Sequence, residues 1–284
     1  MKKYLSLIKF SHTIFAMPFA LIGFFLASQQ YNFEWLTLLY VVLCMISARS
    51  AAMAFNRYID RDIDKANERT AQLREIPNGT ITAKNALIFV IINSMLFIGV
   101  TFIINSLCFT LSPIALIIIL GYSFTKRFTA LCHLVLGLGL SLTPIGAYLA
   151  VSGEFAIIPI LFSFVVLFWV SGFDIIYSMQ DEEFDKDQKL HSIPVLLGKK
   201  NALILSRVLH FIAILILSHI GKTANSGEFY WIGFSIFSAL LIYQHTLVRD
   251  NDLSKINLAF FTTNGIASVI LGVFVILDYI MKNQ

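Results

Sequence analysis

Two acidic groups, at residues 56–64 and 174–185, each close an apolar segment long enough to cross a bilayer. Their polar members are Asn56, Asp60 and Asp64 in the first group, and Asp174, Tyr177, Asp181 and Asp185 in the second. Side chains three or four residues apart share one face of a helix, so each group directs several oxygen atoms the same way. Such carboxylates repel unless cations neutralise them, and Mg²⁺ prefers a few carboxylates combined with phosphate oxygens and water. The pattern predicts metal-bound diphosphate chemistry at a membrane surface.

Asp174 lies seven residues before Asp181, about two helical turns deeper in its apolar segment. Burying a carboxylate at that depth is costly, which marks a functional position. We expect Asp174 to hydrogen-bond a polar group of a substrate or Tyr177.

Basic residues accompany both acidic groups. Arg57, Arg61, Arg69 and Arg74 surround the first group, and Lys126 and Arg127 end the segment in which Tyr122 precedes Lys126 by four residues. A phenol and an ammonium at that spacing can reach the same phosphate. A Lys-Arg pair is also common at the cytoplasmic end of any membrane helix, where it only sets the topology. The residues alone leave both phosphate binding and this topological role open. Arg49 lies within its apolar segment, where an arginine usually pairs with or binds an anion.

The composition is that of a membrane protein. The chain is 57% hydrophobic and 13% charged, and its mean hydropathy is +0.78. We predict an all-α, polytopic protein in one domain, 1–284, with about nine transmembrane helices around a central cavity. The expected spans are 12–30, 35–59, 86–107, 111–125, 129–150, 156–179, 201–220, 229–247 and 257–280. The first span lacks the features of a cleaved signal peptide, so we expect it to be retained.

The basic residues indicate the orientation. With the N-terminus inside, nearly all of them fall in cytoplasmic loops, and only Lys222 and Lys282 lie outside. Both acidic groups then share the cytoplasmic face of a bacterial-type inner membrane. The formal net charge is +4, and the basic face suits lipid headgroups. No motif indicates a nucleic-acid partner, and we expect no obligate protein partner.

Three sequence elements resemble signatures of the UbiA superfamily of intramembrane aromatic prenyltransferases. The first is Asn56-x-x-x-Asp60-x-x-x-Asp64 with the following Asn67-x-Arg69-Thr70 and Arg74-x-Ile76-Pro77-x-Gly79. The second is Asp174-x-x-Tyr177-x-x-x-Asp181-x-x-x-Asp185 with the following His191-Ser192-Ile193-Pro194 and Gly198, and the third is Tyr122-x-x-x-Lys126. The resemblance covers essentially the whole chain. Within the superfamily, the chain resembles the 4-hydroxybenzoate polyprenyltransferase branch.

The resemblance implies two Mg²⁺ ions that bridge a polyprenyl diphosphate. The implied metal ligands are Asn56, Asp60, Asp64, Asp181 and Asp185. The implied diphosphate contacts are Arg57, Arg69, Tyr122, Lys126 and Arg127. Catalysis is expected to rest on Asp60, Asp64, Asp181, Asp185 and Asp174. The expected acceptor contacts are Lys9, His12, Arg49, Asp174 and Tyr177.

The implied reaction is ionisation of an allylic diphosphate followed by attack of the cation on an electron-rich ring carbon. Metal ions and basic side chains stabilise the departing charge. Asp174 or a nearby carboxylate is expected either to take the ring proton or to orient the phenol. The expected acceptor is a small aromatic acid, 4-hydroxybenzoate in quinone biosynthesis, with a dihydroxynaphthoate-type menaquinone precursor as the alternative. The Arg-x-x-Lys-Pro type of first-helix motif is absent, and Lys9 and His12 stand in that region.

A cation-coupled membrane transporter would also place aspartates on membrane helices. Transporter sites, however, usually lie near the bilayer midplane at broken helices. Here the acids gather at one surface beside a surplus of arginine and lysine, which favours an anion bound together with metal ions.

Overall fold

The computed structural model describes residues 2–8 and 15–282, and within these ranges all regular structure is helical. The helices are α1 (Lys2–Leu7), α2 (Met17–Ala27), α3 (Trp35–Ile59), α4 (Arg61–Ala66), α5 (Glu68–Ala71), α6 (Ala83–Ile104), α7 (Ser106–Thr125), α8 (Cys132–Ser152), α9 (Ile157–Ser178), α10 (Glu182–Asp187), α11 (Ile193–Thr223), α12 (Glu228–Leu247) and α13 (Asn264–Lys282). A 3₁₀ turn, Met179–Asp181, joins α9 to α10, and a π-helical turn, Leu258–Thr263, precedes α13.

Among the described residues, seven helices are long and apolar enough to cross a membrane: α3, α6, α7, α8, α9 extended through α10, α11, and α13 with its π turn. They correspond to seven of the nine expected spans. The other two expected spans contain α2, an apolar helix of 11 residues, and α12, a more polar helix of 20 residues. The predicted all-α membrane fold is confirmed, and the count of nine is approximate.

Local sequence explains several helix boundaries. The Asn105 side chain accepts the Cys108 N–H at the start of α7, and the Ser192 hydroxyl accepts the Val195 N–H at the start of α11. Gly198 adopts φ 75° and interrupts α11, a conformation that side chains with a Cβ rarely accept. The interruption produces a kink that separates the first turn of α11 from the long helical part that follows.

The bundle is aromatic inside and apolar outside. Trp169, Phe173, Phe19 and Phe237 pack together in the largest core cluster, formed mainly by α2, α8, α9, α11, α12 and α13. Large apolar side chains such as Ile117, which is 71% exposed, cover the outer surface. A soluble protein rarely exposes so many of them, whereas a lipid environment accepts them at no cost. The protein is an integral membrane protein.

Candidate functional site

The first acidic group lies where α3 gives way to α4. Helix α3 ends at Ile59, so the expected continuous helix is interrupted, but the turn keeps helical hydrogen bonds. The Asp60 N–H donates to Asn56 O at 2.9 Å, and the Asp64 N–H donates to Asp60 O at 2.7 Å. The Asn56 amide also donates to Asp60 Oδ2 at 2.8 Å, and its own Oδ1 accepts from Arg57 at 3.0 Å. The predicted four-residue spacing is therefore retained.

The second acidic group follows the end of α9. Asp181 closes the 3₁₀ turn and Asp185 lies within α10, where it is fully buried. Burial of an aspartate to this degree requires a partner. That partner is Lys126, whose ammonium lies 2.7 Å from Asp185 Oδ1.

Residues of the first signature hold the second acidic group directly. The Asn67 amide donates to Asp181 Oδ1 at 3.2 Å. The Arg69 guanidinium binds both oxygens of the same carboxylate, at 3.1 Å and 2.5 Å. These contacts join positions more than 100 residues apart in the chain, so the two acidic groups face one shared site.

The end of α7 brings cations between the groups. Arg127 Nη1 lies 2.9 Å from Asp60 Oδ1, and its Nη2 donates to Ile59 O at 2.9 Å. The charge of Lys126 acts on Asp60 and Asp64 as well as on Asp181 and Asp185. The sequence elements carrying Asp60, Asp181 and Lys126 thus form one electrostatic unit.

Desolvation dominates the titration of the first group. Burial raises the pKa of Asp64 to about 6, and Arg57 offsets part of that shift. Burial also raises the pKa of Asp60 against the opposing effect of Arg127. Burial alone lowers the pKa of Lys126, but Asp185 overcomes this and the net pKa is raised. The carboxylates are thus held in an environment that needs additional positive charge.

The available ligands suit a Mg²⁺ site that phosphate and water complete, and not a metal site closed by protein side chains alone. Among the described residues, no three His, Cys, Asp or Glu side chains converge as a complete cage. Mg²⁺ commonly uses one or two carboxylates and takes its other ligands from phosphate and water. Asp64 Oδ2 is buried without a hydrogen bond, and Arg74 Nε lies 4.0 Å away. An oxygen left in that state is suited to a hard cation.

Of the five expected acceptor contacts, the structure describes Arg49, Asp174 and Tyr177. Lys9 and His12 lie outside the described residues. Arg49 is part-buried, with its Nε atom lacking a hydrogen-bond partner. Tyr122 lies within electrostatic range of Arg49, Arg57, Asp60 and Asp174. Tyr122 therefore lies near both the first acidic group and Asp174.

Asp174 has a partner that sequence reasoning missed. His133 Nδ1 lies 2.7 Å from Asp174 Oδ2. An intramembrane histidine is itself a functional signal. His133 follows Lys126 by seven residues in an apolar segment, so its position could have revealed it.

Tyr177 lies against an aromatic wall supplied by the π-helical turn. Its ring stacks on Phe260 with centroids 4.1 Å apart, and its hydroxyl lies 3.5 Å from Arg69 Nη1. The Asn264 amide donates to the carbonyls of Ala259 and Phe260 at 2.9 Å and 3.0 Å and so fixes the turn. This aromatic wall was not predicted, because no local sequence pattern indicates a π-helical turn.

A cavity of about 320 Å³ opens between α3, α6, α7 and α8. Its lining is almost entirely apolar and includes Ala48, which adjoins Arg49 in the chain, together with Ala115 and Phe97. The polar site and this apolar space are therefore neighbours along α3.

Comparisons with known proteins identify the family of the chain. A family model described as UbiA prenyltransferase family matches residues 16–266. The 4-hydroxybenzoate octaprenyltransferase of Vesicomyosocius okutanii subsp. Calyptogena okutanii (strain HA) is 32% identical over 246 residues, which are 87% of this chain and 89% of that protein. The protein of the same name from Aeromonas salmonicida (strain A449) is 29% identical over 245 residues, 86% of this chain and 84% of that one.

Solved structures share the fold. The apo structure of a UbiA homolog from Aeropyrum pernix K1 superposes with a TM-score of 0.85 at 31% identity and covers 94% of this chain and 98% of that one. A UbiA homolog from Archaeoglobus fulgidus bound to DMAPP and Mg²⁺ superposes with a TM-score of 0.72 at 20% identity, over 98% and 99% of the two chains.

Proposed function

The chain belongs to the UbiA prenyltransferase family, and from that premise we propose that it transfers a polyprenyl group from a prenyl diphosphate to 4-hydroxybenzoate in quinone biosynthesis. The proposal depends mainly on the hydrogen bonds that Asn67 and Arg69 donate to Asp181. They bring two acidic groups and their cations to one site, as diphosphate chemistry requires. The relatives named for 4-hydroxybenzoate support the choice of acceptor.

The proposed metal ligands are Asn56, Asp60, Asp64, Asp181 and Asp185, and the expected metal is Mg²⁺. When bound, Mg²⁺ supplies Lewis-acid stabilisation of the charge on the departing diphosphate. A relative of the same fold is solved with DMAPP and Mg²⁺. We propose two ions here because the carboxylates form two groups.

Cations of the chain complete the diphosphate site. Arg69, Lys126 and Arg127 each form an ion pair with a carboxylate of the site. Together with Arg57 and Tyr122, they would offer donors to phosphate oxygens, and bound Mg²⁺ would supply positive charge to the carboxylates. Such fixed charges stabilise the developing negative charge without reorganising solvent.

The acceptor is proposed to lie between Arg49, Asp174 and Tyr177. The guanidinium of Arg49 has a free donor suited to the acceptor carboxylate. Asp174 takes the ring proton, and the rings of Tyr177 and Phe260 shield the allylic cation from water. Lys9 and His12 remain proposed contacts from the sequence.

The apolar cavity beside Ala48 is proposed to hold the polyprenyl tail. The active-site loops and the N-terminus are proposed to face the cytoplasm at a bacterial-type inner membrane, because basic residues concentrate on that side.

Turnover by the purified protein in detergent tests the proposal. Incubation with a polyprenyl diphosphate, Mg²⁺ and 4-hydroxybenzoate is expected to release diphosphate and give a prenylated acid of the summed mass. Chelation of Mg²⁺ or omission of the acid should prevent the product. A screen that contains a dihydroxynaphthoate identifies the acceptor, and preference for it would overturn the choice of 4-hydroxybenzoate. Cation uptake into liposomes without prenyl transfer would favour a transporter.

A further inference from the structure

His133 is sealed behind Asp174. It stands in the first turn of α8 and Asp174 stands in α9. Only 4% of the His133 side chain is exposed, compared with 21% of Asp174. The carboxylate thus reaches the site while the imidazole supports it from the protein side.

Hydrogen bonding determines which nitrogen of His133 carries the proton. The Ile193 N–H donates to Nε2 at 3.3 Å, and a backbone N–H is only a donor. Nε2 therefore has no proton, so the neutral ring carries its proton on Nδ1. That proton is donated to Asp174 Oδ2 at 2.7 Å.

The contact also solves a local problem of α11. Ile193 is the first residue of that helix, where N–H groups lack an acceptor within the helix. His133 accepts this N–H and so connects the starts of α8 and α11 to α9. Among the described residues, none forms a hydrogen bond with Asp174 Oδ1, so this oxygen stays available to a substrate.

We propose that His133 is a positioning residue that holds Asp174 Oδ2, so that Oδ1 faces the aromatic acceptor and takes its ring proton. The role rests on the proposed function. In the reaction, the bond between the prenyl carbon and the diphosphate oxygen breaks with its electron pair on oxygen. The prenyl carbon bonds to the ring carbon, and the proton lost from that carbon passes to Oδ1 and then to water. His133 keeps its own proton throughout, because Nε2 is engaged by Ile193.

Two substitutions separate this role from a purely structural one. His133→Leu removes the donor, and His133→Asn returns an amide N–H close to the position of Nδ1. We expect the leucine variant to lose transfer to 4-hydroxybenzoate by about tenfold or more and to release a larger share of free prenol. The asparagine variant should recover most of the transfer. Both should bind a non-hydrolysable prenyl diphosphate analogue with Mg²⁺ within about threefold of the wild type, because the polar metal site is untouched.

A double variant tests the pathway through Asp174. His133→Leu should cause no further loss when added to Asp174→Asn, since the group that it positions is already disabled. His219→Leu is the matched control, because His219 is exposed near the other end of α11 and should keep wild-type transfer.

Additive losses in the double variant would overturn the proposal. Equal losses in the leucine and asparagine variants, or a parallel loss of analogue binding, would assign His133 to structure alone. Each of these patterns differs from a wild type that prenylates no phenolic acid, which would overturn the proposed function itself and this role with it.

Discussion

At the residue scale, the candidate site is a set of ion pairs between elements. Arg69 holds Asp181, Lys126 holds Asp185, and Arg127 holds Asp60. Each pair joins a residue proposed to bind phosphate to one proposed to bind metal. The pairs compensate the buried charges, because an isolated buried carboxylate is costly.

Loss of either acidic group should stop transfer. Asp60→Asn or Asp181→Asn removes a charge that metal binding needs, and we expect turnover to fall by about a hundredfold or more. Steady-state assays in detergent measure the change. Asp62→Asn is the control in the same segment, because the Asp62 side chain is 86% exposed. Near-normal turnover in the Asp60 or Asp181 variants would refute the assigned site.

Metal binding should depend on pH through Asp64. Burial raises the pKa of this carboxyl to about 6. Because the folded pKa exceeds the usual value of about 3.9, the folded form binds this proton more tightly, and the group's contribution to stability falls as the pH rises towards 6. Mg²⁺ needs the ionised form, so its apparent affinity should decrease as the pH falls through 6.

Calorimetric titration of Mg²⁺ with a prenyl diphosphate analogue, on both sides of pH 6, measures this coupling. Asp64→Asn should weaken binding and flatten its pH dependence. An unchanged pH profile in that variant would show that another group controls the titration.

At the element scale, the π-helical turn Leu258–Thr263 connects the core to the aromatic wall. Asn264 bonds carbonyls of the turn, the Trp169 indole donates to Asn264 Oδ1 at 2.8 Å, and Gln244 Oε1 accepts from Asn264 at 3.0 Å. Gln244 in turn contacts His210. Four helices therefore determine where Phe260 lies against Tyr177.

Asn264→Ala should loosen the turn. The carbonyls of Ala259 and Phe260 lose a donor in an environment without water, which costs about 1–3 kcal/mol of folding stability. We expect a lower Tm in detergent and more prenol for each transfer event. Ser235→Ala on α12 is the control, because its hydroxyl bonds only the carbonyl of its own helical turn and is exposed. An unchanged product ratio would separate the turn from the site.

At the scale of the whole molecule, the candidate site and the apolar cavity are neighbours along α3, where Arg49 follows Ala48. The cavity runs between α3, α6, α7 and α8, and its lining includes small residues such as Ala48, Ala115 and Gly139. Lipid surrounds the outer surface, so a hydrophobic substrate meets no aqueous barrier on its way to the cavity.

Filling the cavity should shorten the accepted tail. Ala115→Phe adds bulk inside it, and we expect turnover of long polyprenyl diphosphates to fall while dimethylallyl diphosphate is retained. Ile117→Phe is the control, because Ile117 belongs to the same helix and is 71% exposed on its outer side. Equal effects on short and long donors would place the tail elsewhere.

Sequence alone was enough to predict the membrane class, most of the helix bounds, and the acidic and basic residues of the candidate site. These features follow from local rules, since apolar length measures a bilayer span and four-residue spacing defines a helix face. The span predicted at 35–59 coincides with α3, for example.

Which residues meet became apparent only from the folded structure. The pairing of Arg69 with Asp181, the support of Asp174 by His133, and the stacking of Phe260 on Tyr177 join distant parts of the chain. Helix packing sets these contacts, and spacing along one helix carries no information about which face of another helix lies opposite. The two acidic groups can be recognised in the sequence, whereas the site that they share forms only when the chain folds.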